Sequence, residues 1–342
     1  MQKDIQSKIK GMLYGLCIGD ALAMPVHWYY NRLALQNDYG LITDYLPPRN
    51  PHPDSILWRS TYQATGPKGE ILHDQARYWG KRGIHYHQFL KAGENTLNVR
   101  IGGLLIESLN QNSAYDETDF LKRYIDFMTS PHRHRDTYVE ECHRNFFRNY
   151  AAGLAPNNCG VEEKHIGGLS AIIPIVAFYH NQPRTARDIA LAHLKLTHPG
   201  IRMETAAALL IDVLLAVLSG ERLHDTIVSL CEAQRNPLLG HPFTKLLKQP
   251  DEVVIGRHFS PACYVEDAVP AVIYLALKYH HDPERALIVN TNLGGDNAGR
   301  GAVLGALLGA DGGIDSFPER WLTRLVQPWP ELRVSPEPST EK

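Results

Sequence analysis

Gly301, Gly305 and Gly309 lie four residues apart in the stretch "GRGAVLGALLGA", where nearly every other residue is Ala, Val or Leu. The composition predicts a helix, and a spacing of four puts the three glycines on one stripe of it. Each glycine in a helix interior costs about 1 kcal/mol relative to alanine, so something must offset the stripe. The contact that does so is another helix packed closely on it. Whatever else this chain folds into, it must contain a close helix pair.

The rest of the chain agrees with that demand. Helical periodicity runs through "IQSKIKGMLYGLCIGDALA" at the start, through "VRIGGLLIESL" from Val99, and through "TARDIALAHLKL" from Thr185. It continues through "RMETAAALLIDVLLAVLSG", which stops at Gly220, and "VEDAVPAVIYLALKY", from Val265 to Tyr279. No run of period-2 alternation is bounded by hairpin turns. The fold expected is all-α: a single compact multi-helix domain over residues 1–333, with a frayed tail at 334–342. One long segment, Asn37 to Gly93, is dense in Pro, Gly, Asn and Asp and is too long to be a mere connector. Its aromatic and histidine residues predict order and packing against something.

With 342 residues, 44% of them hydrophobic, and a net charge of −2, the chain has neither the basic excess of a nucleic-acid binder nor a polybasic membrane anchor. Five scattered cysteines without a C-x-x-C read as reduced thiols of a cytoplasmic protein. Lys8 and Lys10 before "GMLYGLCIG", with "ALA" after it, imitate a signal peptide, but Asp20 and three glycines interrupt the apolar run. No run reaches the roughly 20 apolar residues of a membrane helix, and the longest, "AAALLIDVLLAVL", contains Asp212. No membrane and no nucleic acid are expected as partners, and the oligomeric state is unspecified.

Two segments carry chemistry. In "NLGGDNAGRG", Gly294 and Gly295 allow positive φ, and Asp296 or Asn297 can cap the following helix. The free N–H groups at that helix start suit an anion, and Arg300 lies one turn on, where it could pair with one. No G-K-[S/T] follows, which excludes a P-loop. In "GENTLNVRIGG", Glu94, Asn95, Thr96 and Asn98 cluster before an apolar helix. They read either as a capping group or as oxygen ligands pointing into a cleft. A third segment, "PHRHRDTYVEECHRNFFRNY", reads as a solvated basic helix face with buried aromatics, or as a site wall of Arg and aromatic residues.

At these motifs the chain resembles the ADP-ribosylglycohydrolase family, which includes the dinitrogenase-reductase-activating glycohydrolase and the ADP-ribosyl-acceptor hydrolases. The family's G-x-x-x-G-x-x-x-G-D-A-L-G-x-x-x-E is similar to "GMLYGLCIGDALAMPVHW", and T-D-D-T-x-M ending in E-S-L to "TLNVRIGGLLIESL". Its T-H-P helix entry matches "THPGIRMETAAALLIDVLLAVLSG", and its N-x-G-G-D-T-D-T motif matches "NLGGDNAG". The resemblance spans Lys10 to about Gly313 and implies the family's all-α fold. It also implies two Mg²⁺ ions held by the T-D-D and D-x-D-T motifs against the ribose of ADP-ribose. Here Thr96 keeps the Thr position, Leu97 and Asn98 replace the two Asp, Asp296 keeps the first Asp of the last motif, and Ala298 and Gly299 replace the second Asp and the Thr. The Glu of the first motif is His27. In the glycine-rich "HIGGL" loop the family's Met and Arg are Ser170 and Ala171, while Pro174 matches.

One of four metal carboxylates remains, too little charge to neutralise two adjacent dications. The resemblance then leaves at most one Mg²⁺, on Thr96, Asn98 and Asp296, or a metal-free site with Arg300 or His27 supplying positive charge. The expected function is hydrolysis of a glycosidic bond to an ADP-ribose-like group, on a small molecule or an ADP-ribosylated protein. Asp296 and His27 are the expected catalytic pair, with Asp296 stabilising an oxocarbenium-like state or activating water. Thr96, Asn98 and Asn297 are expected on ribose hydroxyls, Gly294, Gly295 and Arg300 on the diphosphate, and Glu94 and Asn95 in the same polar cluster. The alternatives are a catalytically silent nucleotide-binding or structural relative, like the lens J1-crystallins, and a related glycohydrolase with a changed substrate.

Overall fold

A computed structural model describes residues 2–326 and 328–335. Along them run α1 Gln2–Ala23, α2 Arg32–Tyr39, α3 Leu97–Asn112, α4 Glu117–Thr129, α5 Glu141–Ala151, α6 Ile173–Phe178, α7 Pro183–Lys195 and α8 Ile201–Leu218. Then come α9 Leu223–Ala233, two short turns α10 Phe243–Leu246 and α11 Asp251–Val253, α12 Val265–Tyr279, α13 Pro283–Leu293, α14 Asn297–Gly312 and α15 Glu319–Arg324. Extended pairing among the described residues is confined to isolated bridges, one of them between Tyr29 and Gly295.

The helix pair demanded by the glycine stripe is α1 with α14, packed antiparallel. Gly19 faces Gly301, Gly15 faces Gly305 and Gly11 faces Gly309. A Cβ on Gly305 would stand 1.9 Å from the carbonyl oxygen of Gly15, and one on Gly19 would stand 1.9 Å from that of Gly301. No side chain fits there, so glycine on both helices is what lets the backbones touch. α8, α12 and α13 pack around α14, which is buried along nearly its whole length.

This pairing also accounts for the apolar N-terminal stretch. Asp4–Val26 is long and apolar enough by composition to cross a membrane, more so than the run-length reading allowed, but 89% of its most apolar window is buried inside the fold. Its apolar residues face neighbouring helices.

From Gly40 to Gly93 the chain forms only short 3-10 turns, at Leu57–Arg59, Pro67–Gly69 and His73–Tyr78. Hydrophobic burial still anchors it, through Leu57, Ile71, Leu72 and Tyr86. Three of its histidines, His52, His85 and His87, are buried too. Near the C-terminus Trp329 lies over Gly102 and donates its indole N–H to Val99 O at 2.8 Å. Of the expected frayed tail, residues 336–342 lie outside the described residues, and Ser335 is held, its N–H donating to Phe178 O at 3.0 Å. All five cysteines are free thiols.

Candidate functional site

The site forms where the turn before α14 meets the end of α1 and the start of α3. Gly294 and Gly295 take φ of 69° and 67°, the left-handed region that glycine tolerates. The turn is bonded tightly to its neighbours: Gly295 N–H donates to Tyr29 O at 2.6 Å, Trp28 N–H to Gly295 O at 2.8 Å, and Asp296 N–H to Pro261 O at 2.8 Å. These N–H groups are spent on protein carbonyls, so the turn differs from the expected diphosphate cradle.

Arg300 departs from expectation in the same way. Its guanidinium is fully buried and donates to Gly294 O at 2.5 Å, Pro261 O at 3.0 Å and Asn290 Oδ1 at 3.3 Å. It fastens the glycine turn from behind and faces no ligand space. Burial lowers its pKa to about 10, so the charge persists at neutral pH. Asn297 also lies behind the turn, fully buried, with Nδ2–H donating to Thr291 O at 2.8 Å.

Asp296 caps α14 by accepting from Gly299 N–H at 3.2 Å, and the same Oδ1 lies 2.9 Å from His27 Nε2. Burial works to raise the Asp296 pKa, but the His27 hydrogen bond and charge, the Arg300 charge and the Gly299 N–H outweigh it, and the carboxyl sits below its ordinary value. His27 is itself paired: its Nδ1 is 2.8 Å from His87 Nε2, and His87 Nδ1 is 2.7 Å from Asp136 Oδ1.

At the start of α3, Thr96 occupies the cap position, but its hydroxyl donates to Asp20 Oδ1 at 2.6 Å and caps nothing. Its N–H and the Asn95 amide both donate to Asp20 Oδ2 at 2.8 Å. Burial of Asp20 outweighs these donors and pushes its carboxyl up to about 6. Glu94 accepts from Lys91 N–H at 2.6 Å and pairs with Arg135. Neither Glu94 nor Asn95 lines the cavity at Asp296. Both serve the chain's own geometry: Glu94 satisfies Lys91 N–H in the turn into α3, and the Asn95 amide also donates to Cys17 O in α1 at 2.7 Å.

Asn98 does face the cavity, held by a directed chain. Tyr124 OH donates to His143 Nδ1 at 2.6 Å, His143 Nε2–H donates to Asn98 Oδ1 at 2.9 Å, and Asn98 Nδ2–H donates to Glu140 Oε1 at 2.8 Å. Burial keeps His143 neutral, with its pKa lowered to about 3, which fixes this direction. Glu140 stands at the start of α5. Desolvation, opposed by the His165 charge and helped by that of Asp296, pushes its carboxyl up to about 7.

Asp296, His27, Thr96 and Asn98 therefore line one cavity, while Gly294, Gly295, Asn297 and Arg300 build the turn behind them. Reading the sequence misses Glu140, Asp20, His87 and Asp136. Asp20 carried a signal, as a charge inside the apolar run of α1. Asp136 and Glu140 belong to the segment weighed as a site wall, where the acids rather than the arginines reach the site.

The site encloses two adjoining cavities of about 10 Å³ each, one between His27 and Glu140 and one between Asp296 and Ser170. Each has room for about one water. Trp28 closes the outer side with φ of 64°, stacked on His27 at 3.9 Å and edge-on to Tyr86 at 4.7 Å and Tyr138 at 5.1 Å.

One oxygen of each of the three residues considered for Mg²⁺ is taken up by protein groups. Asp296 Oδ1 meets His27 and Gly299, the Thr96 hydroxyl is bonded to Asp20, and Asn98 Oδ1 accepts from His143. No group of three or more His, Cys, Asp or Glu residues able to hold a metal occurs among the described residues. Mg²⁺ requires oxygen ligands in near-octahedral geometry, and this donor set does not fit it.

Comparison with known proteins supplies the wider context. A family model described as ADP-ribosylglycohydrolase matches residues 1–336. An uncharacterized protein of Archaeoglobus fulgidus is 24% identical over 328 residues, covering 94% of this chain and 92% of that protein. A solved chain of an ADP-ribosylglycohydrolase-related protein complex superposes with a TM-score of 0.65 at 22% identity, covering 95% of this chain and 94% of that one. At that identity the structural likeness speaks for the fold.

Proposed function

The chain belongs to the ADP-ribosylglycohydrolase family, and from that premise we propose that it hydrolyses a glycosidic bond to an ADP-ribose-like group with two carboxylates and no metal ion. The observation that carries this reading is a pair of acids, Glu140 and Asp296, that reach the same cavity with pKa values pushed in opposite directions. Such a split separates an acid from a base at one pH.

Glu140, raised to about 7, is protonated in a large share of molecules at neutral pH and donates that proton to the leaving group as the glycosidic bond breaks. Asp296, held ionised, stabilises the oxocarbenium-like sugar or takes a proton from the attacking water. The water has a place in the cavity beside it. Asn98, held by His143, keeps Glu140 Oε1 occupied, so the proton resides on Oε2. Substrate entry requires Trp28 to swing away, and its ring then lies beside the entering group. An ADP-ribosylated protein or a small ADP-ribose conjugate is the partner this chemistry serves, in a cytoplasmic setting that suits five free thiols.

The test is release of ADP-ribose from arginine- and serine-linked peptides, with Asp296→Asn alongside. Turnover that falls about 10²- to 10⁴-fold in the variant supports the reading. The closed cavity favours one other reading, a catalytically silent relative. ADP-ribose binding without turnover in the wild type decides for it.

A further inference from the structure

We infer that His87 and Asp136 are positioning residues for Asp296, acting through His27, so that the site depends on a buried chain of four side chains that starts at Asp296, passes the wall of the cavity at His27 and His87, and ends at the fully buried Asp136. This deepens the proposed use of Asp296 and rests on it. The chain is Asp296 Oδ1 to His27 Nε2 at 2.9 Å, His27 Nδ1 to His87 Nε2 at 2.8 Å, and His87 Nδ1 to Asp136 Oδ1 at 2.7 Å. The two imidazoles are coplanar, with 1° between their planes, as an in-plane N–H···N bond requires. Exposure is 4% at His27, 3% at His87, 0% at Asp136 and 4% at Asp296, so water does not compete for these bonds.

The number of hydrogens sets the direction of each bond. Three hydrogen bonds need three protons, and two neutral imidazoles carry one each. With both carboxylates accepting, the imidazole pair carries one proton more and one positive charge between two negative ends. Asp136 fixes the Nδ1–H of His87. His87 Nε2 then meets His27 Nδ1 over a shared proton, and His27 is left presenting Nε2–H to Asp296. Without Asp136 and His87, His27 loses the partner of its Nδ1, and Asp296 alone is left to orient the ring.

The long segment before α3 is what holds the chain in place. His85 Nε2–H donates to Pro25 O at 3.0 Å and its Nδ1 accepts from His87 N–H at 3.0 Å, while His52 Nε2 bonds His27 O at 3.0 Å. Histidines of this segment thus grip residues 25–27 at two backbone carbonyls and one ring. The segment buttresses His27 from the protein interior.

The test compares full-length wild type with His87→Phe and with the double variant His87→Phe/Asp136→Leu. The double variant removes both buried partners and leaves no unpaired carboxylate to unfold the protein. Long-range ¹H–¹⁵N NMR of the histidine rings at neutral pH reads the proton on each ring nitrogen directly and needs no substrate. Wild type is expected to show a proton shared between His27 Nδ1 and His87 Nε2, and the double variant to show His27 Nδ1 as a bare acceptor nitrogen with the proton on Nε2. On an ADP-ribosyl peptide, kcat is expected to fall about 10-fold or more with KM within about twofold. His27 signals identical in wild type and double variant overturn the inference, whether or not the protein turns over any substrate. Absence of turnover in wild type with the change at His27 Nδ1 intact overturns the hydrolase reading alone.

Discussion

His27 Nε2 stands 2.9 Å from Asp296 Oδ1, a buried imidazole on the one carboxylate left in the last family motif. A ring N–H in that position excludes a cation from the same oxygen. Mg²⁺ is therefore expected to add nothing to stability. A site with 10 mM Mg²⁺ at 100 times its Kd would gain about 2.7 kcal/mol, several degrees in Tm. The melting temperature in chelator and in 10 mM Mg²⁺ is expected to agree within about one degree, and a rise of several degrees would show that the His27–Asp296 bond opens for a metal.

The Gly15–Gly305 contact makes a sharper claim than helix propensity does. Gly305→Ala gains about 1 kcal/mol of propensity in an isolated helix. Here its Cβ would meet a backbone carbonyl at 1.9 Å, and α1 and α14 must separate along the stripe. A net loss of about 1–3 kcal/mol is expected in urea unfolding, because overpacking exceeds the propensity gain. A stabilised variant would mean that the two helices are further apart than described.

Arg300 offers a case where charge alone is not enough. Its fork reaches two carbonyls and one amide oxygen at once, and a lysine ammonium has no such planar geometry. Arg300→Lys is expected to lower stability by about 1–3 kcal/mol and to lower kcat through the loosened Asp296 turn. A variant of wild-type stability with only KM raised would return Arg300 to the ligand.

The close helix pair was legible in "GRGAVLGALLG" because a stripe of glycines has few other uses, and the long helices were legible in their periodicity. The partner helix became evident only in the fold, where Gly11, Gly15 and Gly19 meet the stripe. At the site, Asp296 could be read because it directly follows a glycine pair, and His27 because it takes the place of Glu in the first motif of the resembled family. Glu140 and Asp136 carry no such local mark. Their roles come from burial and from partners far along the chain, His87 being 49 residues from Asp136 and Asn98 42 residues from Glu140. The misreading of Arg300 has the same origin: an arginine one turn past a glycine loop points to an anion only if the loop's own carbonyls are already satisfied, and here they are not.

The most direct test is the pH dependence of turnover in wild type and in Glu140→Gln, measured on an ADP-ribosyl peptide. A general acid works only while protonated, so activity should be lost as pH rises through the raised value of Glu140, about 7. The wild-type rate is expected to be flat below that value and to fall about tenfold for each pH unit above it. In Glu140→Gln it is expected to be at least about 100-fold slower and without that descending limb. A limb near pH 7 that persists in Glu140→Gln would contradict the assignment of the two carboxylates.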